Sequence, residues 1–168
     1  MRIIGIDPGT ATTGYGVITE NSEGELIVVD FGAITTPADL CMPERLVLLY
    51  KRMNELILLH HPDGGAVEKL FFHRNVTTAL SVGQARGVVL LALAEAGLSI
   101  AEYTPLEVKQ AVVGYGGADK NQVQQMVKAL LGLAQVPKPD DAADALAIAI
   151  CHLNSARFHT QAAQAESG

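Results

Sequence analysis

Apolar residues fall in short runs near the start of the chain and at three- and four-residue steps further along, which separates predicted strands from predicted helices. Arg2 to Ile6 is an Ile-rich run closed by Asp-Pro-Gly. Gly14-Tyr15-Gly16-Val17-Ile18 comes next, and Leu26 to Phe31 follows the turn residues Ser22-Glu23-Gly24. The opening therefore reads strand, turn, strand, turn, strand, an antiparallel meander.

The period changes after Pro43. Leu46, Leu49, Tyr50, Met53, Leu56 and Ile57 line one face of an amphipathic helix ending near His60. Pro62-Asp63-Gly64-Gly65 turns the chain into a short strand expected over Gly65 to Leu70. Asn75 is placed to cap the long segment that follows, where Ala79, Gly83 and Gly87 recur every four residues on one face. Each mid-helix glycine costs about 1 kcal/mol relative to alanine, so this stripe predicts close packing of backbones, within the subunit or across a dimer axis.

Leu98 to Tyr103 reads as another strand and Pro105 to Val113 as a short helix. Asp119-x-x-Gln122 forms a capping-box pattern for a helix with Val123, Met126, Val127 and Leu130 buried and Gly132 at its end. Pro137 and Pro139 precede a last helix, from about Asp141 to Ala156, and 158–168 lacks periodicity and is expected to be a disordered tail. Three strands, helix, strand, helix, strand and then helices make an α/β order. One mixed sheet with helices on both faces accommodates it.

Composition narrows the class. A chain of 168 residues with 49% hydrophobic content fits one domain, taken as 1–157. No apolar stretch is long enough to span a bilayer, so a cytoplasmic protein without membrane contact is expected. Cys41 and Cys151 stand far apart with no Cys/His cluster, which excludes a zinc site or a dithiol centre from the pattern. The net charge of -6 does not suggest a nucleic-acid binder. If cations take up several carboxylates, however, little net charge remains and basic residues can still gather on one face.

Four acids are the candidates for such cations. Asp7 closes a buried-looking strand, where it either shapes the Asp-Pro-Gly turn or meets a cation. Glu68 ends Gly-Ala-Val-Glu and reads equally as an edge-strand glutamate or a ligand. Asp141 and Asp144 are three apart at a helix start, hence on one face, and either complement the helix dipole or share a cation. Asp140 suffices as the cap. Oxygen ligands without His or Cys suit Mg or Mn, and a pair of such ions about 4 Å apart serves phosphodiester hydrolysis. Spacing alone cannot bring Asp7 to Asp144.

Taken in order, Gly5-Ile6-Asp7-Pro8-Gly9-Thr10, Thr13-Gly14-Tyr15-Gly16, Glu68-Lys69-Leu70-Phe71, Gly83-Gln84-Ala85-Arg86-Gly87, Val108-Lys109-Gln110-Ala111-Val112-Val113-Gly114 and Asp141-Ala142-Ala143-Asp144-Ala145-Leu146-Ala147 resemble the RuvC family of Holliday junction resolvases, from Arg2 to about His152. The resemblance implies a ribonuclease H-like fold with a mixed five-stranded sheet, a homodimer, and symmetric nicking of four-way junction DNA with two Mg ions per site, Mn substituting. It implies that Asp7, Glu68, Asp141 and Asp144 are catalytic metal ligands. Phe71 matches an aromatic that stacks on unpaired bases, with a core phenylalanine as the alternative. Lys109 and Lys120 match lysines near the scissile phosphate, and Arg74 takes a weaker phosphate-binding role. Gly83 and Gly87 match the dimer helix. The RuvA and RuvB branch-migration complex is the implied partner.

Three other readings compete. Asp7-Pro8-Gly9-Thr10 also resembles the first phosphate loop of actin-like and sugar-kinase-like ATPases, but those need a second domain and further nucleotide loops. A junction-binding protein without catalysis conflicts with four acids, which repel phosphate unless a metal lies between. A related nuclease acting on RNA or other branched DNA is the third.

Overall fold

The computed structural model describes residues 1–69 and 76–166, with side chains over 1–69 and 78–156. The elements are β1 (Arg2–Asp7), β2 (Thr12–Glu20), β3 (Leu26–Thr35), α1 (Met42–His60), β4 (Gly64–Glu68), α2 (Val76–Glu95), β5 (Ser99–Tyr103), α3 (Pro105–Val113), α4 (Lys120–Leu130) and α5 (Asp140–Glu166). They build one sheet in the order β3-β2-β1-β4-β5. The meander pairs antiparallel, and β4 and β5 join β1 in parallel after their helical crossovers.

β1 is central and covered on both faces. Ile4 and Ile6 pack with Leu49, Met53 and Ile57 of α1 and with Ala85, Val89 and Leu93 of α2. Ile3 faces the opposite layer, where Val108, Val127, Leu146, Ile150 and Leu153 come from α3, α4 and α5. Because side chains alternate along a strand, Asp7 shares the face of Ile3 and Gly5, toward α5. This alternation decides which helix can meet the carboxylate.

Glycines on the sheet let α5 lie against it. A Cβ on Gly5 would overlap the Ala145 carbonyl, and one on Gly14 would overlap the Asp141 carbonyl. The smooth face of Ala142, Ala145 and Ala149 completes the fit, and all three are buried. As a result the first turn of α5 rests directly over β2 beside the end of β1.

Several expectations need adjustment. β4 is shorter than the pattern predicts and ends at Glu68; Leu70, together with the proposed cap Asn75, lies outside the described residues. The segment 158–168, expected as a disordered tail, is helical to Glu166. Alanine, glutamine and glutamate there are strong helix formers, and missing apolar periodicity does not prevent a helix from continuing. The capping box of α4 is present, with Asp119 accepting from the Gln122 N–H at 2.8 Å and Gln122 from the Asp119 N–H at 2.9 Å. A second one, Thr104 with Glu107, opens α3.

Candidate active site

Three elements deliver carboxylates to one cleft. Asp7 is the last residue of β1, Glu68 the last of β4, and Asp144 lies one turn into α5. β1 and β4 run parallel in the register Ile6↔Val67, so their acidic ends emerge side by side. The cleft has a volume of about 200 Å³ and is lined by Asp7, Glu68, Lys109, Lys120 and Asp144, with Pro105, Val108, Val123 and Ala147 as its apolar wall. A larger cleft of about 560 Å³ between α3 and α5 holds a single carboxylate, Glu107.

The acids disfavour one another's charge. Burial first, and then the charges of Glu68, Asp144 and Asp141, push Asp7 from 3.8 to about 7, against a smaller opposing pull from Lys120. Burial and Asp144 raise Glu68, with Lys109 opposing. Burial raises Asp144 as well, although Lys120 partly offsets it. Asp141 does not line the cleft, yet its charge acts on both Asp7 and Asp144. Its backbone is the part of α5 that presses on Gly14.

Two lysines provide the local positive charge. Lys120, the first residue of α4, pairs with Asp144 at 3.1 Å and with Asp140 at 3.6 Å. Burial pulls the Lys120 ammonium down, but its bonds and charge contacts with Asp144 and Asp140 outweigh that and raise it. Lys109 extends from α3 into the same cleft and acts on Glu68. Sequence spacing could not join these lysines to the acids, since α3 and α4 are placed by tertiary packing against α5, the sheet and each other.

The donor set suits a hard divalent cation, being all oxygen and electrostatically frustrated. Among the described residues, no group of three or more acids, histidines or cysteines is arranged to hold a metal ion as the side chains stand. The set is therefore an open one. Lys120 occupies Asp144, and a divalent ion would relieve the remaining repulsion more fully than one ammonium can.

Two polar residues outside the candidate site set, Asp140 at the start of α5 and Arg86, also reach this region. Asp140 holds both Lys120 and Lys138, the latter at 2.8 Å. Arg86 of α2 donates to the backbone carbonyl of Glu68 at 3.2 Å and pairs with Glu102 of β5. Gly87, one residue on, is exposed, and a Cβ there would meet nothing within the subunit. Close packing inside the subunit thus does not explain that glycine. Phe71 and Arg74 lie outside the described residues.

The profile of the family described as "Crossover junction endodeoxyribonuclease RuvC" matches residues 3–152. The chain belongs to the RuvC family. A RuvC of Chloroflexus aurantiacus is 62% identical over 156 residues, covering 93% of this chain and 94% of the relative. The structure of Thermus thermophilus RuvC is 38% identical with a TM-score of 0.88, covering 95% of this chain and 98% of that one. A structure of T. thermophilus RuvC in complex with a Holliday junction substrate matches at 35% identity and a TM-score of 0.86, over 94% and 96% of the two chains. The RuvC match agrees with the expected α/β, ribonuclease H-like architecture, a mixed five-stranded sheet flanked by helices on both faces. No helix among the described residues is long and apolar enough to cross a membrane.

Proposed function

We propose that this RuvC chain resolves Holliday junctions in recombination and DNA repair by nicking two opposed strands symmetrically, in a reaction that depends on Mg. One observation carries the reading: carboxylates from β1, β4 and α5 face a single cleft that two lysines also enter. Asp7 stands where both sheet and helix acids act on it, so it would be shared between two ions, with Glu68 serving one and Asp141 and Asp144 mainly the other. When bound, such a pair of divalent cations activates water as a nucleophile and stabilises the leaving oxygen.

The protein's own residues do the remaining work. Lys109 and Lys120 hold the scissile phosphate against the acids and offset charge that builds on it during cleavage. Asp140 keeps Lys120 within reach of the cleft. Phe71 stacks on an unpaired base at the junction centre, by the family resemblance, and Arg74 takes a weaker role in binding backbone phosphate. Two subunits joined through α2 around Gly83 and Gly87 present two centres to two opposed strands, in keeping with isologous dimer symmetry. The RuvA and RuvB branch-migration complex is the partner that family membership suggests.

Asp7→Asn and Glu68→Gln test the assignment. Outer-shell changes alone typically cost about 10–100-fold, so loss of a ligand should slow nicking by more than about 100-fold. Junction affinity in chelator should persist or rise, because a negative charge facing phosphate has gone. Full nicking by Asp7→Asn in Mg contradicts the ligand reading.

A further inference from the structure

The last residue of β4 presents a backbone problem. Lys69 N–H bonds the Tyr103 carbonyl at 2.7 Å, toward β5. That peptide is trans, so the Glu68 carbonyl points the other way, toward β1. Continuing the Ile6↔Val67 register by one residue pairs Glu68 with Asp7. The parallel ladder would then draw its donor from Pro8, and proline has no N–H. A carbonyl at this depth needs another partner.

Arg86 provides one. Its Nε lies 3.2 Å from the Glu68 oxygen, while its other guanidinium arm pairs with Glu102, the β5 residue opposite Val67. The Arg86 side chain is only 20% exposed. Two anchors fix the fork in a way that a single-point ammonium would not reproduce. The same helix is tied to the other strand end, because Thr10 Oγ1 donates to the Ser81 carbonyl at 2.7 Å.

We propose that Arg86 is a positioning residue of the nuclease centre: it replaces the ladder donor missing at Pro8 and so sets the direction in which Glu68 enters the cleft. The inference rests on the reading of Glu68 as a metal ligand. Arg86 touches neither substrate nor cation; it acts through the Glu68 backbone.

A double-mutant cycle on the full chain tests this, with wild type, Arg86→Met, Glu68→Gln and the double variant. Single-turnover nicking of a four-way junction, junction affinity in chelator, and binding of Mn to the DNA-free protein by electron paramagnetic resonance are measured for each. Arg86→Met should slow nicking at least tenfold and weaken Mn binding at least threefold, with junction affinity within twofold of wild type. The double variant should be no slower than Glu68→Gln alone. Losses that multiply in the double variant, or wild-type nicking and Mn binding in Arg86→Met, overturn the proposal.

Arg86→Lys and Glu102→Gln guard against a folding defect, since each keeps part of the clamp. Each should show a three- to tenfold loss at an unchanged melting temperature; wild-type behaviour in both overturns the proposal. Wild-type nicking by Glu68→Gln removes the ligand reading itself, an outcome distinct from a Glu68-dependent site that is indifferent to Arg86.

Discussion

Asp7 concentrates the electrostatic cost of the site, being buried at the end of the central strand with three other acids acting on it. Its carboxyl is raised from 3.8 to about 7 without cations, so the folded state holds the proton more tightly than the unfolded chain. Its contribution to stability is therefore complete below about pH 4 and is lost as the pH rises through about 7. Each pKa unit corresponds to about 1.4 kcal/mol, which puts the upper bound for this group at about 4 kcal/mol. Glu68 and Asp144 are shifted in the same direction. In chelator at pH 8, Asp7→Asn should accordingly melt above wild type, and the difference should vanish by about pH 4. Added Mg should raise the wild-type melting temperature and leave the variant nearly unmoved. A difference independent of pH would remove repulsion as its cause.

Lys120 belongs to the same scale. Its ammonium pairs with Asp144 on an exposed side of the cleft, so its removal should barely change stability. Cleavage should still fall by roughly 10²-fold if it offsets charge in the transition state. Single-turnover rates beside melting curves separate the two effects.

At the scale of elements, the site depends on how α5 lies on the sheet. Gly5 and Gly14 stand where any side chain would enter the α5 backbone. Gly14→Val should therefore displace the first turn of α5 and cost roughly 1–3 kcal/mol or more, as overpacking does. Nicking should fall further than stability predicts, because Asp141 and Asp144 move together. Chemical denaturation paired with cleavage rates at a temperature where the variant is folded measures both.

These elements also show what one-dimensional reading can reach. Strand runs, helix periods and capping boxes act between near neighbours, so β1 to β5 and the Asp119–Gln122 box are visible in the pattern. The four acids stand out because each is charged where a strand ends or a helix begins. Their meeting is invisible to spacing, since it depends on β4 crossing back to lie beside β1 and on α5 docking over Gly14. Arg86 falls in the Gly83-to-Gly87 stretch, but nothing local signals its role: its partners, Glu68 and Glu102, belong to two strands on either side of α2 in the chain. The continuation of α5 past Ala156 escaped for a different reason, because periodicity reports burial and Ala/Gln-rich helix can form without it.

At the scale of the whole molecule, a chain of net charge -6 has to hold a polyanion. Cations at the acidic cleft would remove much of that conflict locally, and two subunits would bring two such clefts to one junction. Gly87 is open within the subunit, so a larger side chain there leaves the monomer unstrained. Gly87→Leu should keep the fold and weaken self-association at least tenfold, as read by sedimentation across a concentration series. Unchanged association would remove Gly87 from the dimer face.

The most direct test of the proposed metal-dependent resolution compares a labelled four-way junction with a linear duplex of the same sequence, in Mg and in chelator. Metal-dependent resolution predicts two symmetric, ligatable nicks on the junction in Mg, none on the duplex and none in chelator. Equal cutting of the duplex, or junction cleavage that survives the chelator, would contradict it.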